Sequence, residues 1–460
     1  MVSVMSLRAL LLPAFFALAA CAAPQSVSER RATVALSELP PMRTFAPAGT
    51  ARAHRSNIDI AQDFLDLSFT LESGRSLPIL TRFEDPVSVR VTGQRPASLD
   101  VDLDRLLGRL RREARIDISR VAPGSEANIT IEMVPRARLQ KAVPQAACFV
   151  VPRVSSWREF ARNRRSETID WATLETRERL AIFIPGDVPP QEVRDCLHEE
   201  LAQALGPLND LYRLTDSVFN DDNFHTVLTG FDMLILRATY SDALHSGMTR
   251  DEVAAALPGL LSRLNPSGNR IAAPPRAMTS RAWIDAIEQA LGPNVRMSQR
   301  RENARRAVAL ARAAGWNDNR LAFSLFALGR LSISADPDVA LMSFLEAGGI
   351  YGTDRDTSVH GAHIAMQLAT FALSAGQPHS ALAIVDANTQ AVIEAENASL
   401  LSTLLLVKAE AMRSLGRPGE ADRLRDEALG WARYGYGDTA EILSRADEIA
   451  AIAPKPETAS

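Results

Sequence analysis

Two adjacent carboxylates, Glu199 and Glu200, head the stretch EELAQALGPLND, which also carries Gln203, Gly206 and Asn209. On a helix, residues four apart share a face, so Glu199 and Gln203 project together. Beside a cleft, the Glu200 carboxylate is the candidate catalytic general base. A carboxylate with two carboxamides is a hard-oxygen set, however, and poor for zinc, whose catalytic sites use neutral imidazoles or thiolates plus an open water position. It is marginal for calcium, which takes six or more oxygens. Without a metal to acidify water, a lone carboxylate is too weak to open a peptide bond. No metal ligand and no cofactor is assigned. The pair reads in one of two ways. It is a solvated pair near a helix start, favoured by the helix dipole. Otherwise it is a buried cluster, with Gln203 and Asn209 as donors, that forms a binding groove or a structural lock. His198 lies well round the helix from Glu200 and has Ala202 as its partner four residues on. His225, beside Asp221 and Asp222, could return towards the cleft; both histidines read as surface residues.

The elements that must hold these residues alternate between helix and strand. IDIAQDFLDLSFTLESG shows helical spacing to Gly74, VSVRVTG from Val87 alternates as a strand, and Ser98 suits the cap of a helix. That helix puts Leu99, Leu103, Leu106, Leu107 and Leu110 on one side. NITIEMV, ACFVVP and LAIFIP read as further strands. Pro189 and Pro190 then open the helix carrying the carboxylates, and Gly206 stops it. Residues 56–247 are thus expected to form an α+β domain. Residues 248–296 read as connecting helices, interrupted around Pro274-Pro275. Residues 297–450 read as alanine-rich helical repeats and 451–460 as a disordered polar tail. In SAGQPHSALAI and SLGRPGEADRL, Gly376 and Gly416 would make the turns, and Ala381 and Ala421 would admit the next helix. ALGRLSISADPDVAL is a looser copy with Gly329 at the turn.

The 460 residues allow two or three domains, and a net charge of −4 gives no case for nucleic acid. Residues 1–20 read as a targeting segment, Arg8 ahead of LLLPAFFALAA. Leu18-Ala19-Ala20-Cys21 resembles the lipobox of bacterial lipoproteins, which implies lipidation of Cys21 and membrane attachment. Cleavage as an ordinary secretory peptide is the other reading. Ala22 after the cysteine favours the outer membrane, facing the periplasm. Residues 21–55 read as a flexible tether. In an oxidising compartment Cys148 and Cys196 are most simply a disulfide, worth about 3–4 kcal/mol; two buried thiols are the alternative.

The spacing from Glu199 to Asn209 resembles the metzincin motif HExxHxxGxxH, with Glu200 and Gly206 retained and the three histidines replaced by Glu199, Gln203 and Asn209. Val218 falls where the matrix-metalloprotease branch has its methionine turn, and Phe231 to Tyr240 resembles the closing helix. The chain is also similar to the bacterial family DUF2927, in which EExxQ is a family trait. These resemblances imply a zincin-like α+β domain followed by an all-α domain similar to tetratricopeptide-type repeats, although generic helical repeats fit as well. The function they imply is a non-zinc pseudoprotease binding or scaffolding an envelope protein or peptide. An unconventional hydrolase using Glu200 as base, with metal held by oxygens or by His225, is the competing reading. A purely structural lipoprotein with a closed groove is a third.

Overall fold

The computed structural model describes residues 39–46, 53–144, 146–273, 278–293 and 295–454. The targeting segment, Cys21, Pro274-Pro275 and the last residues of the tail lie outside the described residues. The chain divides into two compact units, Met1–Leu39 and Pro40–Ser460, and the second holds every element below.

Ser56 caps α1 (Asn57–Ser68) by accepting from the Ile58 N–H. The helix ends well before Gly74. A turn follows, with Thr70 bridged to Ser76 and Gly74 at φ +80°, a conformation that suits a turn and breaks a helix. After β1 (Val87–Thr92) comes α2 (Ser98–Arg109), which winds into a wider π-turn over Leu110–Ala114 and stops at Arg115, φ 60°. Ser98 does not cap it: the helix starts on Ser98 itself, and no side chain bonds its first turn. The five expected leucines are all buried. Next come β2 (Ile118–Arg120), β3 (Ile129–Val134), α3 (Arg136–Ala142), β4 (Phe149–Pro152), α4 (Trp157–Asn163) and β5 (Leu180–Pro185). Neither β2 nor the two short helices had a readable period, since one or two turns are too short to show one.

The five strands lie in the order β2-β1-β3-β5-β4, parallel except for β4 at the edge. One face carries Val89, Ile131 and Ile182 against α2 and against α5 (Pro190–Leu205), whose Leu197, Leu201 and Leu205 are fully buried. The other face is covered by Leu139 of α3 and, near the edge, by Trp157 and Phe160 packed on Phe149 and Phe183. As expected, α5 begins on Pro190 and ends at Gly206. Then α6 (Gly230–Thr239) starts in a capping box of Thr229 with Asp232, and α7 (Arg250–Leu264) in one of Thr249 with Glu252. Far from being a connector, α7 buries Val253, Leu257, Leu260 and Leu261 in the same core as Ile60 and Phe64, so the α+β domain runs past residue 247.

The chain continues as a helical layer: α8 (Arg281–Leu291), α9 (Met297–Ala313), α10 (Asn319–Ser332), α11 (Pro337–Tyr351), α12 (Ser358–Ser374), α13 (Pro378–Glu394), α14 (Ala398–Ser414), α15 (Pro418–Gly435) and α16 (Thr439–Ala450). It starts earlier than residue 297, because the wholly buried Trp283 of α8 donates to Ser324 Oγ of α10 at 2.9 Å. Gly376 and Gly416 do make left-handed turns, at φ +69° and +73°, and Ala381 and Ala421 are fully buried. Gly329 makes no turn. It lies inside α10, where a Cβ would sit 2.6 Å from the Phe344 ring. Parts of the expected tether are packed as well: Phe45 stacks on Trp431 at 4.4 Å, and Arg55 pairs with the buried Asp63 at 2.7 Å. An average composition hid these two anchors. No helix among the described residues is long and apolar enough to cross a membrane.

Cys148 and Cys196 are bridged, with Cα atoms 6.0 Å apart, which ties the start of β4 to the middle of α5. Replacing both by serine should lower the unfolding free energy by about 3–4 kcal/mol in denaturant titration; an unchanged midpoint would contradict a bridge that constrains the unfolded chain.

Candidate functional site

Between α5 and the edge strand β4 lies a cavity of about 490 Å³. Glu199, Glu200 and Gln203 line it from α5, Phe149 and Val150 from β4, Glu72 from the turn after α1, and Asp210 and Asp221 from the loop after α5. Of the residues singled out by spacing, the fold brings Glu199, Glu200 and Gln203 to this groove. Asn209 goes elsewhere, its amide donating to the Asp66 carbonyl at 3.1 Å. Gly206 allows close approach to α6, since a Cβ there would meet Thr239 Cγ2 at 3.3 Å. Glu199 and Glu200 stand in the second half of α5, away from its start, so the dipole-favoured solvated pair does not apply.

The expected donors do not converge on the pair. Gln203 hydrogen-bonds Glu72, and Glu72 in turn shares a hydrogen bond with Asp210. Glu200 is 4% exposed, and its Oε2 has no hydrogen-bond partner among the described residues. Burial pushes the Glu199 carboxyl up to about 8, reinforced by repulsion from Glu72, Asp221 and Asp195. Burial, with Glu199 and Glu72 beside it, also drives Glu200 well above the ordinary carboxyl range. Asp221 rises to about 6 for the same reasons. The protonated form of Glu200 is thereby favoured, which opposes a general-base role. Zinc does not fit either. Asn209 is committed to Asp66, and among the described residues no three His, Cys, Asp or Glu side chains are arranged to hold a metal ion.

Of the two histidines expected at the surface, His198 is buried and His225 is half-buried. His198 Nδ1 accepts from the Leu228 N–H at 3.1 Å, and burial beside Arg109 and Arg194 keeps the ring neutral. It lines a separate pocket of about 210 Å³ with those arginines, in keeping with its angle on the helix. His225 turns away from the groove towards the helical layer, its ring 5.6 Å from that of His360 on α12, and burial lowers it to about 4. The helical layer, absent from any local pattern, packs against this loop at Phe224 and His225.

Arg177 is the residue the sequence hid most completely. It sits in the extended run before β5, is 3% exposed, and donates to the carbonyls of Gln203 (2.6 Å), Ala204 (2.8 Å) and Gly206 (2.5 Å). These are orphan groups at the carboxyl end of α5, and a guanidinium there also complements the helix dipole. Burial lowers its pKa to about 10, which leaves it charged. Nothing local marks it, because its partners lie more than twenty residues on.

Residues 57–259 match DUF2927, a family described as proteins of unknown function. The matched stretch runs from the first turn of α1 into α7, so it contains the sheet, the groove and the EExxQ helix, and leaves out the helical layer. No curated protein matches the chain.

The raised carboxyls make the site costly. The folded state keeps the Glu199 proton up to about pH 8, whereas the unfolded chain releases it near 4.5, so stability falls as pH rises through this window. Glu199→Gln should raise stability, with a gain that grows from pH 5 to pH 8 to about 1–3 kcal/mol. Thermal melts of both proteins across that range check this; a pH-independent difference would show that Glu199 is not desolvated.

Proposed function

We propose that the DUF2927 part of this chain is a zincin-like domain without zinc that binds an extended peptide or partner strand beside α5. The helical layer, of tetratricopeptide-like design, adds a second protein-binding surface, and the whole is held at the bacterial envelope by lipid on Cys21. The observation that carries this reading is the groove along the free edge of β4. Arg153 N–H donates to the Arg179 carbonyl, and the register pairs Phe149 with Phe183 and Val151 with Ala181. Antiparallel alternation then turns the N–H and C=O of Val150 away from β5, towards the groove that Val150 lines. Strand addition at such an edge draws its affinity from main-chain bonds and its specificity from pockets for alternate side chains.

The zincin reading is supported by the order helix, strand, long helix, strands and motif helix, and by α6 lying where the closing helix is expected. Val218, at the methionine-turn position, is buried and donates its N–H to Asp232 of α6. For scaffolding, the support is that the loop after α5 is built into the helical layer: Tyr212 and Phe224 pack with Trp283, Phe323 and Phe326 in one apolar cluster.

A displayed library of random decapeptides should yield binders to the wild-type protein. Val150→Pro, which removes the outward N–H and no bond to β5, should weaken them by about tenfold or more. Should Val150→Pro fail to melt like wild type, binders N-methylated at alternate residues replace it, and one methylation register should abolish binding. An empty selection, or binders indifferent to both changes, would overturn strand addition. Separately, metabolic labelling with an alkyne fatty acid should mark the protein in a Gram-negative host and fail with Cys21→Ser; equal labelling of both would remove the anchor from the proposal.

A further inference from the structure

The groove has a one-sided charge. Three separate segments bring carboxyls to it, Glu72 from the turn after α1, Glu199 and Glu200 from α5, and Asp210 and Asp221 from the next loop. No arginine, lysine or histidine is among its described lining residues. Buried carboxyls are ordinarily paired with cations or otherwise satisfied by hydrogen-bond donors, as at other sites in this chain. Asp63, wholly buried, takes Arg55 and Arg213, each at 2.7 Å. Asp195 takes Arg194 at 2.8 Å. Asp232, wholly buried, has no cation among the described residues but is satisfied by Ser217, the Val218 N–H and Thr229. At the groove, by contrast, no cation is among the described lining residues, and the buried Glu200 Oε2 has no hydrogen-bond donor among the described residues. An orphaned acceptor facing a cavity marks the place where a ligand donor belongs. Trp171 supplies apolar surface in the same lining, which suits the stem of a long cationic side chain.

We propose that the groove selects a strand bearing a lysine or arginine, whose ammonium or guanidinium enters between the carboxyls and bonds Glu200 Oε2. This specificity rests on the strand-addition reading of the groove. Several carboxyls and no fixed counter-charge make a neutral or acidic side chain a poor occupant, because it would leave Glu200 unsatisfied or add to the repulsion from Glu72, Glu199, Asp210 and Asp221. In the empty groove burial favours the protonated form of Glu200. An entering cation stabilises the carboxylate, so the proton passes to solvent as the ion pair forms, and charge balances. Arg177, the nearest cation at that end of α5, is committed to three carbonyls and is outside the lining, so it does not compete.

The test uses blocked heptapeptides of alternating Val and Ala with Lys, Arg, norleucine or citrulline at the centre, titrated calorimetrically into the full chain at pH 5.5 and 7.5. Each titration is repeated in phosphate and in Tris. The Lys and Arg peptides should bind at least about tenfold tighter than norleucine and citrulline, a difference that two charge-assisted hydrogen bonds readily supply. Their advantage should grow with pH, and the heat should differ between buffers because a proton is released. Glu200→Gln should bring the ratio of Lys to norleucine affinity to within about threefold of unity, and Glu199→Gln, checked by its melt, is the second variant should Glu200→Gln fail to fold. Equal binding of Lys and norleucine peptides, still sensitive to Val150→Pro, would overturn the charge assignment and leave strand addition standing. Failure of all four peptides to bind would overturn both.

Discussion

The last carbonyls of α5 have no partner within the helix, and the buried Arg177 guanidinium takes those of Gln203, Ala204 and the capping Gly206 at once. Leaving such groups unpaired costs about 1–3 kcal/mol each, so this cap fixes where the helix ends and how it is turned about its axis. The bridge from Cys196 to Cys148 ties the same helix to the edge strand. At its amino end, Gln191 reaches Asn397 and Ser399 of the helical layer at 3.2 and 3.4 Å. Held at three points along its length, α5 cannot rotate to hide Glu199, Glu200 and Gln203, and the groove they line keeps its shape without a metal.

That rigidity has an electrostatic consequence. A helix free to move would turn uncompensated carboxyls towards water; here Glu199 and Glu200 are retained at a cost that rises with pH. On the far side of the same loop the cost runs the other way. Burial lowers His225 to about 4 and His363 to about 3, so those rings destabilise the fold as pH falls from about 6.5 towards 4. Sites that depart from local consistency in this manner are where function is expected.

The loop after α5 is the hinge between these two environments. Asp210 and Asp221 face the groove. One residue on, Asp222 accepts from Asn319 of α10 at 3.3 Å and pairs with His360 of α12 at 3.1 Å. Tyr212 and Phe224 enter the apolar cluster of the helical layer. An occupant of the kind proposed would therefore touch a segment whose other face is built into the helical layer.

Amino-acid order alone determined the elements with a clear period and a clear stop. The leucine face of α2, the strand LAIFIP, the Pro-to-Gly limits of α5 and the turns at Gly376 and Gly416 were all legible, because helix and strand periodicity and left-handed glycines are local properties. The pairing of Cys148 with Cys196 followed from their even number in an oxidising compartment. Short β2, α3 and α4 escaped for want of a period, and α7 was read as a linker because its apolar face matters only once α1 lies against it. The site was half legible. Spacing placed Glu199 and Gln203 on one face, but Glu72, Arg177, the burial of His198 and the turn of His225 towards the helical layer were decided by the tertiary structure. Their environments are made by segments distant in the chain, and desolvation, which sets the charge of every group in the groove, exists only after those segments have packed.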